Sequence, residues 1–164
     1  MQSYNREAMR FLIALLAIAG IFDSSLALRI HNQDPSQAPP CAVTEKFDCG
    51  TVNHGRYAVF PPIGSDEDAD SKKLHIPVAL IGIIGYAVIA ILALARRYWL
   101  TLQAAKVGFA CAAFLSYIEA YVIEKWCIYC LWSMAIISAI LILTIITLIT
   151  DHKRKRETSV IAAP

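Results

Sequence analysis

Four runs of the chain are apolar for about the length of a bilayer crossing, and the polar residues are gathered between them. A bilayer core about 30 Å thick takes roughly 20 mostly apolar residues per helix. The first run covers 9–28 and is interrupted by Asp23, Ser24 and Ser25. The second, 76–95, carries no charge and places Pro77 in its first turn, where a helix tolerates it. The third, 102–123, contains one carboxylate, Glu119, and the fourth, 127–150, is the most apolar. The pattern predicts an all-α integral membrane protein. Its residues 1–150 form a four-transmembrane-helix bundle with a long outer loop, 29–75, between the first two helices, and 151–164 form a basic cytoplasmic tail.

The first run has a competing reading. Arg6 and Arg10, an apolar stretch and small residues near Ala27 also describe a cleaved signal peptide. Removing it leaves three helices and breaks the charge pattern described next, so four spans are retained.

Composition agrees with the spans. Of 164 residues, 57% are hydrophobic and 17% charged, against about 45–50% and 25% in soluble domains. A soluble globular enzyme and a disordered chain are excluded, and a net charge of +2 is too small to suggest a nucleic-acid partner. Lysine and arginine near helix ends set orientation. With the N-terminus inside, Arg6, Arg10, Arg96, Arg97, Lys106 and the run Lys153 to Arg156 are cytoplasmic, while Asp66, Glu67, Asp68 and Asp70 are outside. Both termini are then cytoplasmic, and the membrane is a bacterial plasma membrane, or that of the endoplasmic reticulum in a eukaryote.

This topology sorts the five cysteines. Cys41 and Cys49 lie in the outer loop, flanked by Pro39, Pro40 and Gly50, and Cys127 and Cys130 open the fourth span. All four meet at the outer face, where disulfides form and persist. Cys111, deeper in the third span, reads as a small buried hydrophobe. Cys127-Ile-Tyr-Cys130 places two thiols on one helix face, at an N-terminus whose dipole and free N–H groups favour thiolate. Zinc sites use the same spacing, and two stapling disulfides are a third reading. Redox relay between the pairs is the favoured one, with no metal.

The run LSYIEAYVIEKWCIYCLWS, the eight-residue spacing of the loop pair, and CGTVNHGRYAVF followed by IPVALIGIIGY resemble the vitamin K epoxide reductase family, its bacterial homologues in particular. The resemblance covers nearly the whole chain. It implies a membrane thiol–quinone oxidoreductase that supports disulfide formation. In that reading Cys41 receives electrons, Cys49 exchanges with Cys127, and Cys130 faces a quinone, either ubiquinone or menaquinone. Vitamin K epoxide is a further candidate substrate. Gly55 stands where relatives often carry a hydroxyl residue, and Met134 where the animal enzymes carry tyrosine; both departures bear on epoxide chemistry and anticoagulant-type inhibition more than on quinone reduction. Many bacterial relatives carry a fused thioredoxin-like domain. This chain stops at Pro164, so the expected partner is a separate thioredoxin-like or DsbA-like thiol protein, alongside membrane lipid.

Other residues are candidates for the quinone pocket. Asn53 can donate to a quinone carbonyl, with a turn residue as its plainer reading, and Met134 can line the ring, with core filler as its own. Glu119, near Tyr117 and Tyr121 and partly solvated, is a candidate for proton delivery or hydrogen-bond support with Tyr117, since an intramembrane carboxylate is a functional candidate by default. His54 and His75 read as solvated interfacial groups, Gly82 and Gly85 as sites of close helix approach, and Tyr98, Trp99, Trp126 and Trp132 as interface aromatics. Two other classes remain. One is the unrelated four-helix quinone-coupled oxidase of bacterial disulfide formation, which usually has its CxxC in the first outer loop. The other is a tetraspanin-like scaffold with structural disulfides.

Overall fold

The computed structural model describes residues 2–36, 41, 43–63 and 75–161, with side chains over 7–36, 41, 43–63 and 75–154. The acidic cluster Asp66 to Asp70, Lys72, Lys73, Pro39 and Pro40 lie outside the described residues, as do the side chains of Arg6, Lys155 and Arg156.

Helix α1 covers Gln2–His31, a short helix α2 Cys49–Asn53, and strand β1 Val59–Phe60 pairs antiparallel with β2, Ile76–Pro77. Then come α3, Val78–Leu94; α4, Tyr98–Ile118, continued by a π-helical turn over Glu119–Ile123; and α5, Ile128–Ile161. Among the described residues, three segments are long and apolar enough to cross a membrane, Glu7–His31, Tyr98–Ile123 and Ile128–Arg154; α3 is a shorter apolar helix.

These bounds differ from the apolar runs at four places. Asp23, Ser24 and Ser25 do not interrupt α1, because Ser25 Oγ donates back to the Ile21 carbonyl (2.7 Å) and satisfies itself within the helix. The second apolar run is helical only from Val78, since Ile76–Pro77 is held extended by its pairing with Val59–Phe60. The third helix starts at Tyr98, ahead of the apolar run, and Tyr98 is buried rather than interfacial. The helix that carries the fourth run continues through the basic segment to Ile161.

The helices pack as a ring. α1 lies against α3 and α5, α4 against α5, and α3 touches α4 more sparingly. The common core is built from Ile13 and Ala17 of α1, Tyr86 and Ile89 of α3, Ala105 of α4 and Ile140 of α5. Small residues let the backbones approach, as in membrane helix pairs generally. A Cβ on Gly20 would sit 2.6 Å from the Tyr86 ring, and one on Gly82 3.0 Å from Ser24 Oγ. Gly85 has nothing within 4 Å of that position, so its expected role in close approach is not what it does. The Tyr86 ring is pinned by hydrogen bonds of its hydroxyl to the Ser133 carbonyl (2.9 Å) and Ser133 Oγ (2.8 Å). Gly20→Ala is therefore expected to lower stability by about 1–3 kcal/mol, the usual cost of overpacking, measured by thermal denaturation in detergent.

At the end of the bundle away from the loop cysteines, Glu7 pairs with both Arg10 and Arg96. Arg96 occupies the left-handed region (φ 57°) in the tight turn from α3 to α4. The contact fastens the start of α1 to that turn.

Candidate functional site

The outer loop is stitched to the start of α5 by main-chain pairing, and this brings the cysteines together. Trp126 N–H donates to the Lys46 carbonyl (2.7 Å), and Asp48 N–H donates to the Trp126 carbonyl (3.1 Å). Trp126, expected as an interface aromatic, is thus part of this seam. Lys125 Nζ lies 3.6 Å from Asp48 Oδ2 across it. Glu124, in the left-handed region (φ 56°), ends the π-helical turn and directs the chain into the seam. One residue after Asp48 comes Cys49, and one residue after Trp126 comes Cys127. Both are fully buried, packed with Cys41 and Ile30 in one small cluster that Cys130, Val52 and Tyr129 border.

Asp48 caps α2. Its carboxylate accepts the Thr51 N–H (3.1 Å) and the Thr51 hydroxyl (2.6 Å). The Thr51 hydroxyl is the main reason the Asp48 carboxyl is held below the usual carboxylate range; the Thr51 and Gly50 N–H groups and Lys125 add to it, against desolvation. A depressed folded-state pKa stabilises the fold above the unfolded value, about 3.9 for aspartate, and the benefit is lost as pH falls through the folded value. Asp48→Ala is expected to cost about 1 kcal/mol near neutral pH. The difference from wild type should shrink below about pH 4, as read by denaturation midpoints across pH.

Cys41 and Cys49 form a disulfide with Cα atoms 5.8 Å apart, while Cys127 and Cys130 are free thiols. Cys127 stands just ahead of α5, outside the span. Its thiol is pushed below the ordinary range, chiefly by the hydrogen bond from the Cys130 thiol and further by the Cys130 and Tyr129 N–H groups at the helix start; burial and the Glu119 charge oppose this. Asn53 Nδ2, at the end of α2, donates to the Cys49 carbonyl (2.9 Å) and approaches Cys127 Sγ at 3.4 Å. Asn53 thus links the two cysteine pairs as well as bordering the cavity below.

Glu119 is not partly solvated as the sequence suggested; it is 2% exposed. Its Oε2 accepts the Cys127 N–H (3.0 Å), satisfying a donor that the helix start leaves free, and the Cys130 thiol lies against the same carboxyl. The π-helical turn begins at Glu119, and its extra residue per turn is a feature often met at functional sites.

Beneath the cysteines lies a cavity of about 520 Å³, within the range of small-molecule sites. Its wall is mostly apolar and includes Cys130, Glu119 and Asn53, but not Cys127. Exposed lining residues on α3 (Ile81, Val88) and α4 (Val107, Cys111) place an opening sideways between these helices, where their packing is sparse. Cys111 is accordingly an exposed wall residue and not the buried filler expected. One turn beyond Cys130 the wall is Ser133, three residues on; Met134, four residues on, is not part of the lining. Tyr117 is exposed, its ring 5.0 Å from that of Tyr121, and takes no part in the lining. His54 packs on His31 and its ring nitrogens meet the Gly50 and Gln33 carbonyls, both at 3.0 Å, and the half-buried His75 meets the Pro61 carbonyl at 2.9 Å.

The wall also contains groups the sequence reading passed over. Tyr86 and Ser133 contribute a hydrogen-bonded pair and Tyr57 a further ring, and beside them Gly85 leaves open space. Asp23 lines the cavity from α1, and its place inside an apolar run was the signal that could have marked it.

A helical membrane protein with two cysteine pairs in contact, one of them bordering an apolar cavity that opens between helices, is built for thiol–disulfide chemistry at a lipid interface. The model of the vitamin K epoxide reductase family matches residues 11–145, and the chain belongs to that family. The membership makes it an integral membrane oxidoreductase of the thiol–disulfide and quinone type, from a family that uses quinones as electron acceptors and generally works with a thioredoxin-like redox partner. Among curated proteins, none is matched by the chain.

Proposed function

We propose that the protein carries electron pairs from a separate thioredoxin-like or DsbA-like dithiol protein, through Cys41 and Cys49 and then Cys127 and Cys130, to ubiquinone or menaquinone in the membrane, and so supports disulfide formation. The observation that carries this reading is the division of the inner pair: Cys130 borders the cavity, while Cys127 is buried in the cluster with Cys49. One cysteine meets the acceptor and the other meets the donor.

The chemistry follows from that division. A partner thiolate attacks Cys41 and opens the loop disulfide, and its second thiol resolves the mixed disulfide. The freed Cys49 thiolate attacks an oxidised inner pair at Cys127 and, once Cys41 closes on Cys49, leaves Cys127 and Cys130 reduced. A loop disulfide, Cys41–Cys49, standing beside free Cys127 and Cys130 supports this order of events. Two electrons then pass from Cys130 to the quinone while the Cys127 sulfur bonds to Cys130. Quinone becomes hydroquinone, and a disulfide replaces two thiols. Asn53 and the start of α5 favour the Cys127 thiolate that closes the bond.

In the membrane we place all four long helices across the bilayer, α3 included. Its 17 residues extend about 26 Å at 1.5 Å per residue, near the lower limit for a span. The cysteines face the outside and the Glu7, Arg10 and Arg96 end faces the cytoplasm, a placement that the distribution of basic residues supports.

The test compares two reductants. Cys41→Ser is expected to keep turnover with a small dithiol that reaches the inner pair directly, and to lose at least about 100-fold with a protein dithiol, because only the latter needs the relay. Quinone reduction is followed by absorbance in detergent. Equal losses with both reductants refute the relay.

A further inference from the structure

We propose that Asp23 is the second contact of the quinone, the carboxyl that delivers a proton to the carbonyl oxygen remote from Cys130. This rests on the quinone reading above.

Reduction of a quinone makes two hydroxyls on opposite edges of one ring, so the group that serves the oxygen beside Cys130 does not serve the other. Asp23 stands where the second is needed. It lies within a membrane-spanning helix, eight residues before its end at His31, has a relative exposure of 8%, and lines the same cavity as Cys130. Among the described residues, none is hydrogen-bonded or ion-paired to its carboxyl. A carboxyl in lipid without a structural partner is costly and marks a functional site by default.

The depth agrees. Ile30 of α1 shares one small buried cluster with Cys127, which sets a common level for the two helices. Asp23 is seven residues below Ile30, about 10 Å at the helical rise, whereas Cys130 is three residues past Cys127, about 4.5 Å. The two groups are thus offset by about 6 Å along the bundle, on the scale of a quinone ring. At the level of Asp23 the wall carries Tyr86, whose electrostatic neighbour Asp23 is, hydrogen-bonded to Ser133. Ser133 is one turn from Cys130. Gly85, one residue before Tyr86, leaves the space beside this polar group open.

The step balances without another reactant. The two thiols of the inner pair give up their protons, that of Cys127 as its thiolate forms, one S–S bond forms, and the two electrons released enter the quinone. One thiol proton goes to the near oxygen. Asp23 gives its proton to the far oxygen, and the second thiol proton restores the Asp23 carboxyl, with Ser133 and Tyr86 on the wall between them. Hydroquinone leaves through the opening between α3 and α4.

The experiment uses the full chain in detergent with a short-chain benzoquinone as acceptor and a small dithiol as reductant. Steady-state kcat and KM are measured for wild type, Asp23→Asn and Asp23→Glu. In parallel, oxidation of the reduced inner pair by a low-molecular-weight disulfide is timed, a reaction that needs no cavity acid. Asp23→Asn keeps a hydrogen-bonding group of the same shape but no acidic proton. It is expected to lower kcat by about 100- to 10,000-fold, the usual contribution of a positioned acid, with KM changed less than about 3-fold and oxidation by the disulfide unchanged. Asp23→Glu is expected to recover at least a tenth of the wild-type kcat. Wild-type kcat in Asp23→Asn overturns the proposal and leaves the quinone reading standing. Equal losses with quinone and disulfide also overturn it, because they assign Asp23 to packing. Absence of quinone reduction in the wild type overturns both.

Discussion

Cys130→Ser is expected to abolish quinone reduction with any reductant, lowering kcat by more than about 1,000-fold, as loss of a covalent participant does. The reason is spatial. Of the four cysteines in the two pairs, Cys130 is the one that lines the cavity, and Cys127 is closed off from it with Cys49 and Cys41. No neighbouring thiol replaces it: Cys111 also borders the cavity, but from α4, where no second cysteine stands to close a disulfide. A serine keeps the size and the polar contact near Glu119, so the fold is retained, and thermal denaturation should match wild type to within about 1 kcal/mol. Cys111→Ser serves as the control and is expected to keep wild-type turnover. Substantial turnover in Cys130→Ser, measured by loss of quinone absorbance, refutes electron transfer through this residue.

The helices and the cysteine pairs were legible because each is written locally. An apolar run of bilayer length and a CxxC at its start need no knowledge of neighbours. What each helix presents to its neighbours was not legible. A helix that is apolar on all sides carries no stripe to say which side faces protein, cavity or lipid. Gly82 and Gly85 look alike in sequence, yet one meets Ser24 and the other meets open space. Ser133 and Met134 both lie about one turn from Cys130, and only the placement of α1 and α3 decides that serine lines the wall. Asp23 looked like an interruption of a span because Tyr86 and Ser133, from two other helices, were not yet beside it. The seam at Trp126 rests on main-chain groups, which sequence does not distinguish. Glu119 was recognisable as a carboxylate inside a span, but its capping of the Cys127 N–H depends on the π-helical turn that follows it.

A disulfide between Cys49 and Cys127 is expected to accumulate when either outer thiol of the relay is removed. Exchange between two pairs passes through a covalent bond joining one member of each, and the packed cluster makes Cys49 and Cys127 the members in question. Cys41 is the thiol that resolves this bond toward the loop, and Cys130 resolves it toward the cavity. Cys41→Ala and Cys130→Ala each leave one route closed. The main-chain seam from Lys46 and Asp48 to Trp126 already holds the loop over the start of α5, so the bond forms with little rearrangement and should dominate over intermolecular pairing at micromolar protein. Non-reducing digestion of Cys130→Ala under mild oxidation, followed by mass spectrometry, is expected to give the cross-linked Cys49–Cys127 peptide in at least about half of the molecules, as an effective concentration in the millimolar range provides. Wild type treated in the same way should show mainly Cys41–Cys49 and Cys127–Cys130. If Cys130→Ala yields only Cys41–Cys49 while Cys41→Ala yields only Cys127–Cys130, the two pairs do not exchange, and electrons reach the cavity by another route.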